Sequence, residues 1–387
     1  MTTMDATGRP IRVSVVTCYF DPDYARGTVI HRALAAVPEF ETRWVRSRAR
    51  GVWRFGQIIG ALLRERLFHP PDVWVLTFRG QEVLPLVLAI AGRTPVVFDE
   101  FIVPIAYATQ EPHTASPAIR LKHASARIAQ PAYRRWLRRC GLILADTPLH
   151  ARLSAELNRV PEALYRVLPV GADERLFHPG EPVEDSEGFS VLYYGNMLPL
   201  HGVQTVLDAA VLLRDDPRIR MRIIGGGDDT AALVEDAVAR GARVEHTAWI
   251  PLAELPRAVH SSQLCLGGPF GGTPQATRVV TGKTYQFLAC GVPTLVGRNE
   301  AEPLLVDHDT CLVVDQHDPS ALSAAIRWAA DHPAELGAIG DRGRALYERE
   351  FGLASQSARL SGWIAELLER GPLNTPSPPA PPRDPRG

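Results

Sequence analysis

Val191-Leu192-Tyr193-Tyr194-Gly195-Asn196-Met197-Leu198-Pro199-Leu200-His201-Gly202 is the stretch on which the fold turns. Its unbroken apolar opening suits a strand buried on both faces, the mark of a parallel sheet covered by helices. Gly195 and Gly202 bracket a loop, and a helix is expected from about residue 203 with Val206, Leu207, Ala210 and Leu213 on its apolar face. Such a turn offers backbone N–H groups and the positive end of a helix dipole to an anion such as a diphosphate. Many strand-to-helix loops look like this for packing alone, so the architecture is legible here before any ligand is.

The same alternation fills the chain on either side. Strands are predicted at residues 11–19, 42–46, 72–78, 95–100, 142–147 and 165–170, with amphipathic stretches between them. Those stretches supply the crossovers that parallel pairing requires. The pattern restarts after Pro179 and Pro182, with strands at 190–194, 220–225, 244–249, 263–266, 293–296 and 311–314. Helices over 319–330, 334–348 and 354–370 close it. The predicted fold class is α/β: two Rossmann-like, doubly wound parallel-sheet domains over residues 1–180 and 181–350, facing across a cleft that carries the active site. The helix over 351–370 is expected to be able to pack back on the first domain, and the proline-rich residues 371–387 to be disordered.

Composition narrows the class. The 387 residues are 45% apolar and 22% charged, which suits a soluble protein of two domains. The polar start lacks a secretory h-region, so a cytoplasmic location is expected. The longest apolar stretch, residues 83–91, falls far short of the roughly 20 residues that span a bilayer. Cys18, Cys140, Cys265, Cys290 and Cys311 are too scattered for a metal knuckle or a redox pair and are expected to be reduced and buried. Residues 1–180 hold 24 Lys and Arg against 16 Asp and Glu, whereas residues 181–387 hold 18 against 27. The basic half suits an anionic partner, such as a membrane surface or a phosphorylated acceptor, unless its charges are merely solvated.

Glycines mark further loops. Ile223-Ile224-Gly225-Gly226-Gly227 ends a strand, but a dinucleotide fingerprint would need glycine at 230, where Thr230 stands. A nicotinamide cofactor is therefore not expected. Gly267-Gly268-Pro269-Phe270-Gly271-Gly272-Thr273 reads as a loop facing a phosphate or a sugar. Beyond it come Arg278, Lys283 and Gln286 and a short helix ended by Gly291. Lys283 and Lys122 are the only lysines among 42 basic residues. A compact ammonium on a glycine-flanked turn suits a phosphate, and Arg does not replace it there. The acidic pairs Asp215-Asp216 and Asp228-Asp229 are read as loop and helix-start residues rather than a cation site.

Taken in order, strand–Gly–x5–His–Gly–helix, strand–Gly-Gly-Gly and Lys-x-x-Gln-x-x-Ala-x-Gly-x-Pro resemble the retaining GT-B glycosyltransferases of family 4, the group 1 enzymes, over roughly residues 189–330. Gly171-Ala172-Asp173 and Phe177-His178-Pro179 resemble that family's passage into its second domain. The resemblance implies transfer of a sugar from a nucleoside diphosphate to an acceptor with retained anomeric configuration, without metal or other cofactor and without a nucleic-acid partner. It gives the first domain to the acceptor and the second to the donor.

Two departures shift the charge in the donor site. Where the family usually has Gly-Arg-x4-Lys-Gly, this chain has Asn196 and His201, and where it usually has Glu-x7-Glu, this chain has Arg278 and Gln286. Arg278 and Lys283 are thus expected to stabilise the leaving diphosphate, with His201 as a third donor. Gln286 takes the place of a ribose-binding carboxylate. Trp249 is either a stacking partner for the base or a core aromatic. Gly195, Gly202, Gly225, Gly271, Gly272 and Thr273 are expected to line the donor. In the first domain Asp99 and Glu100 are expected at a carboxyl edge near the transferred sugar, and Arg26 and Gly27 after the turn Asp21-Pro22-Asp23 to reach the donor across the cleft.

Basic helical stretches at 43–68, with Trp53, Phe55, Leu62, Leu63 and Phe68, and at 120–139, with Ile128, Tyr133, Trp136 and Leu137, suit either a peripheral membrane contact or packing on the sheet. Two other readings stay open: a catalytically impaired GT-B protein that assists a partner, and a nucleotide-sugar epimerase.

Overall fold

The computed structural model describes residues 9–106 apart from 20, 22, 23 and 50, then 117–181 and 188–370, with the side chains of 117–124 and 126 outside the description. The middle of the Asp21–Asp23 turn, the Lys122 side chain, the linker at 183–187 and the tail at 371–387 thus lie outside the described residues.

The first sheet comprises β1 (Ile11–Thr17), β2 (Phe40–Arg46), β3 (Val73–Leu76), β4 (Val96–Asp99), β5 (Leu142–Ala145) and β6 (Tyr165–Val167), ordered β2-β1-β3-β4-β5-β6. The second comprises β7 (Phe189–Tyr194), β8 (Ile219–Ile224), β9 (Val244–Thr247), β10 (Leu264–Leu266), β11 (Thr294–Gly297) and β12 (Leu312–Val314), ordered β12-β11-β10-β7-β8-β9. Every pairing is parallel. Helices α1 (Ala25–Ala35), α2 (Trp53–Phe68), α3 (Leu84–Ala91), α4 (Pro117–Leu137) and α5 (Pro148–Asn158) cover the first sheet. In the second half follow α6 (Val203–Leu212), α7 (Asp228–Ala239), α8 (Leu255–His260), α9 (Gly282–Cys290), α10 (Pro319–Asp331), α11 (Pro333–Leu346) and α12 (Leu353–Glu369).

Burial explains the strand sequences. β3, β4, β5, β7, β10 and β11 are buried at every residue, while the edge strands β2 and β9 carry exposed residues among covered ones. Each sheet is sandwiched between two apolar layers, as parallel pairing demands. In the first domain Ile58, Leu62, Leu84 and Leu137 fill one side. Ile30, Leu34, Leu360 and Ile364 fill the other, so the last helix returns to complete the first core. Leu168 and the backbone around Val170 carry the chain across to the second domain, where Tyr347, from the stretch before α12, donates its hydroxyl to Glu174 at 3.2 Å and accepts from the Ala172 N–H.

The predicted strand ends run a little long. Residues 146 and 147 leave β5 because the Thr147 hydroxyl caps α5, accepting from the His150 N–H at 3.2 Å. In the second sheet the order of strands reverses between β7 and β10, so the crevice outside their carboxyl ends is the place where an open α/β sheet takes a ligand. The loops following those two strands are 195–202 and 267–281.

Candidate donor site and cleft

Lys283 lies in the first turn of α9, and its side chain runs under the end of β7, where its ammonium donates to the Tyr194 carbonyl at 3.0 Å and sits 3.9 Å from the centre of the Tyr193 ring. Only 6% of the residue is exposed. Burial pulls its pKa down from 10.5 to about 7, because an ammonium loses more hydration there than one carbonyl and one ring return. His201 comes to the same spot from the other side of the loop. A Cβ added to Gly195 would stand 3.4 Å from His201 Nδ1 and 3.6 Å from Lys283 Nζ, so both groups lie against that glycine. Burial, aided by Lys283, holds the imidazole down to about 3, and its buried Nδ1 has no hydrogen-bond partner. Gly202, at φ 68°, is the N-cap of α6, and no side chain caps that helix. Two buried nitrogen groups and an uncapped helix start thus meet at the carboxyl end of β7, where an anion is favoured. Gln286, one turn along α9, accepts a hydrogen bond from the Tyr194 hydroxyl, which holds its amide beside the same strand end. Asn196 is exposed at the top of the loop.

The glycines serve packing more than access, which corrects the expectation that they open the site to a ligand. A Cβ at Gly225 would stand 2.0 Å from the Gly195 carbonyl oxygen, one at Gly271 2.0 Å from that of Pro199, and one at Gly202 2.4 Å from the Phe270 carbonyl carbon. The Gly271 N–H is spent on Leu200 at 3.0 Å, and the Thr273 hydroxyl accepts from Ala276. Of that loop Gly272 is exposed. The glycines let two loops and two strand ends lie backbone to backbone, which fixes where Lys283 and His201 point. Trp249 is 74% exposed beyond the end of β9, which removes its core reading. The acidic pairs have structural places: Asp216 binds the Arg218 guanidinium at 2.7 Å, and Asp228 and Asp229 open α7.

Four residues expected at the cleft are sealed away from it. Arg26 and Asp99 form a fully buried ion pair at 2.8 Å, and the other end of the guanidinium binds the carbonyls of Leu168 and Pro169 at 2.8 and 2.7 Å. Gly27 packs on Thr77 and Thr17. Glu100 is enclosed by the hydroxyls of Tyr133 at 2.6 Å, Ser154 at 2.5 Å and Tyr165 at 3.2 Å. These carboxylates belong to the framework of the first domain, because all their partners are supplied from within it.

Arg278 stands apart from Lys283. It lines a pocket between the domains together with Phe101, Val103, His150, Leu153 and Gln275. The Thr147 hydroxyl reaches across the cleft to the Arg278 carbonyl at 2.8 Å. His150, in the first turn of α5, bonds through Nδ1 to Asp146. Although burial opposes its charge, the neighbouring Asp146 carboxylate raises its pKa above the ordinary histidine value. Asp146 and His150 went unread in the sequence. The available signal was the segment Asp146-Thr147-Pro148-Leu149-His150 after a buried strand, a helix start that places the histidine one turn from the acid. At the matching edge of β1 and β3, Tyr24 stacks on Phe78 at 4.3 Å, with Tyr19 and Phe101 edge-on to Phe78.

The comparisons with known proteins bear on the fold. No curated protein matches the sequence. The chain resembles sucrose-phosphate synthase from Thermosynechococcus elongatus with TM-score 0.71 at 15% identity, covering 93% of this chain and 100% of that one. HepE of Anabaena in complex with UDP-glucose gives TM-score 0.68 at 13% identity, over 92% of this chain and 100% of that one. A glycosyltransferase from Rickettsia africae gives TM-score 0.67 at 10% identity, over 94% of this chain and 100% of that one. Residues 205–361 match the family model described as glycosyl transferase-like. That sequence match lies on the second domain, and over the whole chain the architecture is that of these structures, the GT-B fold.

Proposed function

We propose that the protein moves a sugar from a nucleoside-diphosphate donor to an acceptor, with retention of anomeric configuration and without a metal ion. The observation that carries this reading is the meeting of Lys283 and His201 on Gly195 beneath the uncapped start of α6. A leaving diphosphate needs its developing charge met by cations and oriented N–H groups already in place. In the transfer the bond from the anomeric carbon to the diphosphate oxygen breaks as the bond to the acceptor oxygen forms on the same face. The acceptor's proton passes to the departing phosphate oxygen, so no protein nucleophile is required. HepE, a fold neighbour, has a crystal structure in complex with UDP-glucose, which makes the uridine series the first to try. Calorimetry on the full chain with UDP, GDP and ADP is expected to show one of them binding, and NMR of the product formed from the matching sugar nucleotide to show the donor's anomeric configuration. Absence of binding by any nucleoside diphosphate would remove the reading. Altered free donor without transfer would favour an epimerase instead.

A second reading concerns the working place, which we assign to the cytoplasm at the inner face of a membrane. Its support is α2, which buries Ile58 and Leu62 yet leaves Trp53 76%, Leu67 72% and Phe68 70% exposed. Leu63 is exposed on the same helix, and Arg64 and Arg66 are exposed beside it. The only acid of α2, Glu65, turns inward to Ser14 and Arg43. An apolar face flanked by arginines suits an anionic lipid surface. Among the described residues no helix is long and apolar enough to cross a membrane. The protein is expected to sediment with phosphatidylglycerol vesicles and not with phosphatidylcholine vesicles. Leu67→Glu with Phe68→Glu should leave it in the supernatant; equal behaviour of the two vesicle types would refute the assignment.

A further inference from the structure

We propose that Thr147 is a positioning residue that sets the register of the two domains across the cleft, its hydroxyl joining the start of α5 to the backbone of the 267–281 loop. The linkage stands on geometry alone, and its place in sugar transfer rests on the donor reading above.

A hydroxyl has one proton to give and lone pairs with which to accept. Thr147 uses both: it accepts from the His150 N–H at 3.2 Å and donates to the Arg278 carbonyl at 2.8 Å. The first bond fixes the side chain at the helix start, and the second spends its only proton on the other domain. With the residue 1% exposed, water does not stand in for either partner.

Both ends of this link are anchored. Thr147 lies just past β5, where the Ala145 carbonyl is held by the Leu168 N–H at 2.8 Å. On the far side the loop is tied to its own domain on both flanks of Arg278. Gln316 Nε2 donates to the Ala276 carbonyl at 3.0 Å, and the Thr281 hydroxyl donates to the Gly267 carbonyl at 2.6 Å. A bond between two such marks records the separation of the domains rather than the pose of a loose loop. The same loop leads into α9, so the link also sets where Lys283 stands relative to the first domain.

Two other attachments show why a directional bond matters here. The chain crosses near Ala172 and returns near Leu353, and Glu174 joins the two by accepting from the Tyr347 hydroxyl and the Leu353 N–H, so together they form one point of attachment. Phe101 packs on the apolar cluster that includes Tyr285 and Phe287. That contact is non-directional and tolerates sliding, whereas a hydrogen bond weakens steeply as it bends. The crossing fixes one point and Thr147 a second, which leaves only a turn about the line through them. Without the second point the domains are free to rock on the crossing.

Spin labels on Arg152→Cys in α5 and Glu300→Cys beyond β11, both exposed positions, read the separation in the full chain, while the five native cysteines are buried and stay unlabelled. With Thr147 in place one narrow distance is expected. Thr147→Gly still serves as an N-cap at little cost but gives up the proton, and should broaden the distribution toward longer distances. Thr147→Ser keeps both bonds and should restore the narrow distance, which a residue needed only for bulk would not do. Affinity for UDP by calorimetry should stay within about two-fold in every variant, because Lys283 and His201 stand in the second domain. If the glycine variant fails to fold, Thr147→Val keeps the volume, removes the same bond and takes its place. A distribution unchanged by loss of the hydroxyl overturns the proposal, and so does a serine variant that opens as the glycine variant does. Loss of UDP affinity at an unchanged distance would make Thr147 a part of the donor site and overturn it too. Failure of UDP, GDP and ADP to bind even the wild-type chain removes the donor reading, and the distances then judge the linkage alone.

Discussion

Lys283→Met is expected to lower the transfer rate by about 10²–10³-fold, the usual cost of removing one preorganised charge from a developing anion. The fold should survive, because methionine fills most of the same volume and ends the burial of an ammonium 3.9 Å from the Tyr193 ring. A second signature sets this residue apart from a merely structural lysine. Free Lys283 releases its proton at about 7. A diphosphate restores the charge, so binding at pH 8 to 9 should take up close to one proton. Affinity should therefore fall as the pH climbs past 7. Calorimetry in buffers of different ionisation enthalpy measures the uptake, and the methionine variant should show none. Stability shifts the other way: between about 7 and the ordinary 10.5 the unfolded chain holds the proton that the folded chain has lost. The wild-type melting temperature should consequently gain on that of the variant as pH rises across this window. A variant that transfers sugar at the wild-type rate would end the case for this donor site.

Arg26→Met should cost about 3–5 kcal/mol, the largest stability effect expected of any single change considered, because it leaves a buried carboxylate unpaired. The guanidinium holds Asp99 at 2.8 Å and the carbonyls of Leu168 and Pro169 at 2.8 and 2.7 Å, all out of solvent. It thereby ties α1 to the end of β4 and to the segment that leaves the first domain. Against a total stability of about 5–15 kcal/mol the loss is large enough to shift the urea midpoint markedly. Arg26→Lys should not rescue, since an ammonium lacks the planar fork that serves three acceptors at once. Arg26→Met combined with Asp99→Leu should recover most of the loss, because removing both charges leaves nothing unpaired but the two carbonyls. If the single and double variants unfold at the same urea concentration, the pair is not the tie described.

The architecture was readable because buried parallel strands are almost pure apolar runs. Val191–Tyr194, Leu264–Leu266 and their neighbours could be located within a residue or two, and the strand order fell within the doubly wound pattern. Lys283 drew attention as a rare lysine at a glycine-flanked helix start, and the structure places its ammonium against the end of β7 beside Gly195. What sequence reasoning missed depends on side chains that meet through space. Asp99 and Glu100 follow a buried strand, as many catalytic acids do, but their fate is set by Arg26, 73 residues away, and by Tyr133, Ser154 and Tyr165. No spacing rule announces that those four will converge on them. Glycine was similarly ambiguous: a residue without a side chain admits a ligand or a neighbouring backbone equally well, and at Gly225 and Gly271 the neighbour was another loop.

The return of α12 has a consequence for synthesis. Leu360 and Ile364 share a core with Ile11, Val13 and Val15 of β1, so the first strand made waits for nearly the last helix made before its apolar side is covered. Among the described residues the core of the second domain draws on nothing later than Phe351, which precedes α12. On a ribosome, which releases residues in order, the half begun second can finish first. Until the C-terminal helix emerges, the nascent chain carries an open apolar sheet face, and that interval is when a chaperone would find something to hold.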